Sequence, residues 1–196
     1  IVDVKLDAPA GAHGEVRKRA VSVMLGALAQ VIPDLVSGDL CGTSFPNAIG
    51  GWDERRQRTY VYYEAPAGGN GGFLEDDGSS AWGNIDFGNV RTIQTAEALE
   101  SGMPLLVERS ELRRDSAGEG RMRGGRGMRR EVRLLTGEGR YSALSDRAVI
   151  PPFGVGGAGH ALPVKVSVLR DGVEIEFPTP GKVTGYAIRA GDVVVM

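Results

Sequence analysis

Glu64, Asn70 and Asp77 are the polar residues of this sequence best suited to chemistry on a small molecule. They surround the loop Gly68-Gly69-Asn70-Gly71-Gly72. Carboxylates and a carboxamide beside such glycines mark a pocket rim, because binding residues concentrate on loops. The expectation is a substrate- or channel-facing role for all three. Ordinary turn chemistry at the surface is the competing reading. The same glycines could cradle a phosphate with backbone N–H groups. The loop lacks the Lys-Ser/Thr ending of a P-loop, and no helix starts behind it. Glycines also simply let two backbones approach closely.

Other constellations are weaker. The chain has two histidines, His13 and His160, far apart and without a second ligand at helical spacing, so no metal site is expected from these residues. Cys41 is the single cysteine. It excludes an internal disulfide and is expected to be a small buried hydrophobe rather than a nucleophile. No Gly-x-Ser-x-Gly elbow supports a serine hydrolase. Ser145-Asp146-Arg147 precedes Pro151-Pro152-Phe153-Gly154 and is expected to be a strand end whose Asp–Arg pair orients a turn. The tract Gly118 to Arg130 resembles an RNA-binding Arg-Gly stretch. It lies between strand-like segments and close to Glu108, Glu111, Asp115, Glu119 and Glu131. An ordered strand–turn–strand is therefore expected, with arginines tied to carboxylates of this chain or of a partner subunit, since guanidinium forks suit carboxylates.

The elements that must position these residues follow from periodicity. Ile1 to Asp7 alternates as a strand does. From Glu15 to about Val31, apolar Val16, Ala20, Val23, Met24, Ala27, Leu28 and Val31 recur at helical spacing. Pro33 ends that helix. Thr59 to Glu64 is aromatic and β-branched, hence a strand. A short helix is expected from about Thr95 to Ser101. Strands are expected around Leu105 to Leu112, Met128 to Leu135, Tyr141 to Ser145, Val164 to Arg170, Val173 to Phe177 and Val193 to Met196. Asp171-Gly172 favours a tight hairpin. Strands in runs, with few helices, give an α+β class dominated by β structure.

The chain has 196 residues with a net charge of −2. That length suits one domain or one large lobe, and that charge does not favour a polyanion such as nucleic acid. No apolar run is long enough for a bilayer, and low cysteine use fits a reducing cytosol, so a cytoplasmic location is expected. The chain opens on Ile1 inside a strand-like segment, so residues 1–196 are expected to be part of a longer polypeptide.

Several motifs, in order, resemble one family. They are Gly26-Ala27-Leu28-Ala29-Gln30 with Pro33-Asp34, Asn47-Ala48-Ile49-Gly50-Gly51 as a paired-glycine turn, and Tyr62-Tyr63-Glu64 with the glycine loop. Asp77-Gly78, Glu97 to Glu100 and Val107-Glu108-Arg109 follow. The most specific match is Asp115-Ser116-Ala117-Gly118-Glu119-Gly120-Arg121-Met122-Arg123-Gly124-Gly125. Leu144-Ser145-Asp146-Arg147, Pro151-Pro152-Phe153-Gly154 and Gly156-Gly157 complete the set. Together they resemble the C-terminal part of hydantoinase B/oxoprolinase subunits, relatives of acetone and acetophenone carboxylases.

That resemblance implies a component of an ATP-dependent enzyme that hydrolyses a cyclic amide. A hydantoinase A-type partner carrying ATP and Mg would first phosphorylate the carbonyl. The alternative is a subunit of an ATP-dependent ketone carboxylase, with this segment mainly a non-catalytic scaffold. In either case the segment is expected to be inactive alone, and any metal of the carboxylase relatives to be held by residues outside it. Two departures from the family pattern fall where a pocket would be lined: Ala65-Pro66 after Glu64, and Trp82 to Asn89 after Asp77.

Overall fold

The computed structural model describes residues 13–82 and 93–196. The strand expected over Ile1 to Asp7 and the departure from Gly83 to Asn89 lie outside the described residues. Helix α1 spans His13–Leu28, followed by a 3-10 turn over Pro33–Leu35. Strands β1 (Asn47–Asp53) and β2 (Arg58–Glu64) come next, then α2 (Ala96–Gly102) and β3 (Leu105–Leu112). β4 (Met128–Leu134), β5 (Glu138–Leu144), β6 (Ser167–Arg170), β7 (Val173–Glu176), β8 (Lys182–Arg189) and β9 (Val193–Val195) complete the order. The class is α+β with β dominant, as the runs of strand-like sequence indicate.

The strands form two antiparallel sheets, ordered β2-β1-β5-β8 and β3-β4-β9-β6-β7. Alternation dictates the inner face of the first. Tyr60, Tyr62 and Glu64 of β2 point inward while Thr59, Val61 and Tyr63 point out, as a period of two requires. Register then lines Tyr62, Ile49, Tyr141 and Tyr186 across four strands. This row packs with Leu99, Leu105, Val132 and Val194 into one core. The Asp171-Gly172 hairpin has positive φ at both residues, 53° and 79°, which is the geometry a two-residue primed turn requires.

Two strands escape the sequence reading. β1 carries Gly50-Gly51 and reads as a turn, yet it is central in its sheet. A Cβ at Gly51 would stand 2.6 Å from the Glu138 carbonyl oxygen and 3.1 Å from the Tyr60 hydroxyl, so the glycine admits the neighbouring strand and ring. β8 contains Gly185 at φ 61° and a register shift against β5, which breaks the alternation that would reveal it.

α1 is the main correction. The helix exists, but its apolar stripe does not face the core. Val16, Val23, Met24 and Leu28 are exposed, Val23 by 63%, while Glu15, Lys18 and Ser22 are buried. The reason is polar docking. Glu15 accepts from Thr43 Oγ1 at 2.7 Å and from the Ser44 amide at 2.6 Å, and Lys18 donates to Ser44 Oγ at 2.7 Å. Ser22 accepts from Arg147 at 2.8 Å. At Gly26 the missing side chain leaves room for the Phe153 ring.

Loops between the strands are held by one another's backbones. Gly38, Cys41 and Met128 donate to the carbonyls of Gly72, Gly69 and Ala67, and Asn70 and Gly125 link on to Ser79 and Asn70 at 3.0 and 2.8 Å. A Cβ at Gly71 would lie 2.0 Å from the Gly38 carbonyl oxygen. Gly71→Ala is therefore expected to cost about 1–3 kcal/mol or more through overpacking against backbone. Gly102→Ala, where no atom lies within 4 Å, is expected to be neutral or to stabilise by up to about 1 kcal/mol. Urea denaturation of both variants checks the contrast.

A pH dependence follows from two buried carboxylates. Burial alone would raise the pKa of Asp53, but hydrogen bonds from the Arg56 side chain and the Arg55 and Arg56 amides hold it below its ordinary value. Asp192 is likewise burdened by burial and held low by Arg170 and the Arg189 amide. For a depressed pKa, the stabilisation is complete above the unfolded value and disappears as pH falls through the folded one. The melting temperature should be level above about pH 5 and drop as pH falls below the ordinary carboxylate range of about 4. Asp192→Asn should flatten part of that drop in a thermal scan.

Candidate functional site

The glycine-rich loops enclose a cavity of about 510 Å³. Its lining comes mainly from three glycine-rich stretches: 66–74, 113–129 and 152–162. Residues of distinct chemistry stand among the glycines, including Cys41, Asn70, Arg113, Arg129, Arg147 and Phe153. Cys41 is half-buried on the wall, less enclosed than a small core hydrophobe would be.

Asn70 reaches this cavity because its loop is pinned on both sides. Its amide donates to Ser79 and its carbonyl accepts from Gly125. Its side-chain Oδ1 is buried with no hydrogen-bond partner among the described residues, a costly state for a polar atom. Asp77 accepts from the Arg123 amide at 2.7 Å, which ties the glycine loop to the 118–127 segment. Glu64 sits at the end of β2, away from the cavity lining. It lies 2.7 Å from Arg130 Nε, and both side chains are 3% exposed. Glu64 also accepts from the Tyr62 hydroxyl at 2.5 Å and from the Gln94 amide at 2.9 Å. The Arg130 Nε–H makes no hydrogen bond, so that contact is Coulombic rather than directional. Burial, then the Glu64 charge, raise the pKa of Tyr62. Of the three residues singled out in the sequence, Asn70 thus lines the cavity and the other two fix the segments around it.

Arg147 enters the site from a different partnership than its sequence neighbour implies. Its guanidinium pairs with buried Asp39, donates to Ser22 and reaches the carbonyls of Ile150 and Pro151 at 3.5 and 3.3 Å. Asp146 instead lies 3.6 Å from Lys182. Burial lowers the pKa of Arg147, Asp39 opposes that shift, and the like charge of Arg19 adds to it. Asp39 has no local signal in the sequence, because its partner lies 108 residues away. Arg113, also on the wall, donates to the Pro163 carbonyl at 2.6 Å. Its pKa is lowered by burial and by Arg129.

Of the eight arginines from Arg109 to Arg130, three meet carboxylates and two others donate to carbonyls. Arg109 and Arg129 reach Glu131 at 3.4 and 2.6 Å, and Arg130 reaches Glu64, as carboxylate pairing requires. Arg121 instead donates to the Leu74 carbonyl, closing one edge of the cavity. The segment between β3 and β4 is an ordered loop stitched to 74–81 rather than a tight turn. Among the described residues no group of three histidine, cysteine or carboxylate side chains is gathered as metal ligands, and no helix is long and apolar enough to cross a membrane.

Comparison with known proteins places this architecture. The chain is 33% identical to a Methanocaldococcus jannaschii protein over 195 residues, 99% of this chain and 32% of that one. It is 33% identical over 131 residues to a putative D-/L-hydantoinase B-type subunit of Pseudomonas sp. (strain NS671), covering 67% of this chain and 21% of the relative. The chain thus spans about a third or less of the length of these relatives. In structure it resembles the ATP-dependent caprolactamase of Pseudomonas jessenii, with a TM-score of 0.73 and 26% identity over 86% of this chain and 30% of that one. It also shares the fold of a nucleotide-free acetone carboxylase, with a TM-score of 0.66 and 16% identity over 86% of this chain and 26% of that one. The family model of hydantoinase B/oxoprolinase matches residues 1–196, and the chain belongs to that family.

Proposed function

We propose that residues 1–196 form the C-terminal portion of a hydantoinase B-type subunit in an ATP-dependent enzyme that hydrolyses a cyclic amide. The supporting observation is the family match along the whole chain together with the structural likeness to an ATP-dependent caprolactamase. A hydantoinase A-type partner binds ATP and Mg and phosphorylates the amide carbonyl. O-phosphorylation removes the amide resonance that protects the carbonyl carbon, so one water adds there. The ring C–N bond breaks as the nitrogen takes a proton, and a second water releases phosphate from the acyl phosphate left behind. This segment contributes enclosure: a walled cavity keeps the activated molecule from premature loss to bulk water and limits its orientations. Asn70 faces the bound molecule or its passage. Asp77 and Glu64 hold the walls, one through the Arg123 amide and the other through Arg130. Any metal is held by residues outside this segment, and the complex works in the cytoplasm.

A second reading is a ketone carboxylase subunit in which this segment is a scaffold. It is favoured by the glycine-rich stretches of the cavity lining and by the fold shared with acetone carboxylase.

Reconstituting the natural subunit with its A-type partner separates the two. ADP release that depends on a lactam such as caprolactam, hydantoin or 5-oxoproline, and ignores bicarbonate, is the expected result. Turnover that requires a ketone and bicarbonate together would replace the first reading by the second. Asn70→Ala and Asp77→Ala are expected to lower kcat/KM about tenfold, equivalent to about 1.4 kcal/mol, with the complex still assembled by gel filtration. Unchanged kinetics in both would remove the site assignment. Glu64→Ala leaves Arg130 buried without its counter-charge, and should cost about 3–5 kcal/mol in denaturation.

A further inference from the structure

α1 presents its apolar stripe to the outside and Glu15, Lys18 and Ser22 to the body. Val16, Val23, Met24 and Leu28 are exposed, and the stripe continues through Val31 and Leu35, which are 79% and 77% exposed. An amphipathic surface helix normally turns such a stripe toward its own core. Here the inward side is already committed through Glu15, Lys18 and Ser22 to Thr43, Ser44 and Arg147. The helix therefore cannot roll over to bury the stripe without breaking those buried contacts. Contiguous apolar surface of this kind marks an interface.

The chemistry of the stripe narrows its occupant. Among the exposed residues from 16 to 35 the charged ones are Arg17 and Asp34, one of each sign. A helix lying on an anionic lipid surface would be rich in lysine and arginine on its flanks, so a membrane is a poor match. The relatives supply the remaining clue: the archaeal one matches this chain along 99% of its length yet is only 32% covered by it. Most of such a polypeptide lies outside this region and must pack somewhere.

We propose that the apolar face of α1, continued by Val31 and Leu35, is an internal docking surface for an apolar element of the same polypeptide, from the part of the subunit outside residues 1–196. This inference rests on the reading of the segment as one portion of a longer B-type subunit. Packing of this kind fixes α1, and through Ser22 and Arg147 it braces the cavity wall.

Met24, 62% exposed in this segment, is a native reporter, and Met196, 4% exposed, is a buried standard. The natural subunit is purified without its A-type partner, diluted to a monomer, and treated with hydrogen peroxide. Oxidation of each methionine is read by peptide mass spectrometry, with the urea-unfolded chain as the reactive reference. Met24 is expected to oxidise at least about tenfold more slowly than in the unfolded chain, as protected groups do, and at a rate close to that of Met196. Fast oxidation of Met24 in the monomer overturns the proposal. Protection that appears only when the A-type partner is added, or only as concentration rises, also overturns it and assigns the face to that partner or to a second copy. An intact mass showing a natural chain no longer than residues 1–196 removes the underlying reading itself, which the oxidation rates alone would not.

Discussion

Backbone packed directly against backbone is the constraint on which the site depends. The loops 38–41, 67–72, 78–82 and 118–127 exchange hydrogen bonds such as Gly38 to Gly72, Gly78 to Arg123 and Gly125 to Asn70. None of these loops is a regular strand, yet their polar main-chain groups must find partners when buried. They find them in one another, at separations that exclude side chains. At Gly69 a Cβ would lie 2.0 Å from the Gly125 carbonyl oxygen. The glycines of this chain are therefore not turn residues in the main. They make a dense layer whose position is set by hydrogen bonds from several directions, and the cavity is the space this layer leaves.

Two buried ionic groups fasten that layer to the rest of the chain. Arg147 and Asp39 join the loop before β1 to the loop after β5, with Ser22 of α1 as third member. Glu64 and Arg130 join the end of β2 to β4 in the other sheet, with Tyr62 and the Gln94 main chain completing the set. Buried pairs of this sort contribute little net stability once desolvation is counted, but losing one partner is expensive. Their value is positional: each fixes the relation between elements that are far apart in sequence. Apolar burial of Ile49, Tyr62, Tyr141, Leu105 and Val132 between the sheets supplies the bulk of the favourable free energy.

What the sequence discloses follows from which signals are local. Strands with clean alternation, such as Thr59 to Glu64, and the Asp171-Gly172 hairpin are readable because one short stretch contains all the information. β1 is hidden because its glycines lower β propensity, and their reason, the Tyr60 ring and the Glu138 carbonyl, lies on neighbouring strands. The orientation of α1 is hidden for a sharper reason. Periodicity reports that a helix has two faces, not which one meets the body, and here the decision belongs to Thr43, Ser44 and Arg147. Asn70, on the cavity wall, and Asp77, which ties down a neighbouring segment, announce themselves by standing among glycines. Asp39 does not, because its importance arises from a residue 108 positions away. Ordered family motifs compensate for part of this, since they register the outcome of long-range contacts that spacing alone cannot express.

The distribution of chemistry then has a physical logic. A wall built on glycine loops pressed backbone against backbone is rigid and tolerates few substitutions. Such a wall can enclose and orient a reactive molecule, but it does not itself specify which bond is made or broken. Fold likeness to both a lactam hydrolase and a ketone carboxylase is what that division of labour leads one to expect, because chemistry resides in sites grafted on a fold. A change of chemistry on such a fold can come from side chains while the glycine layer and its two ionic fasteners stay in place.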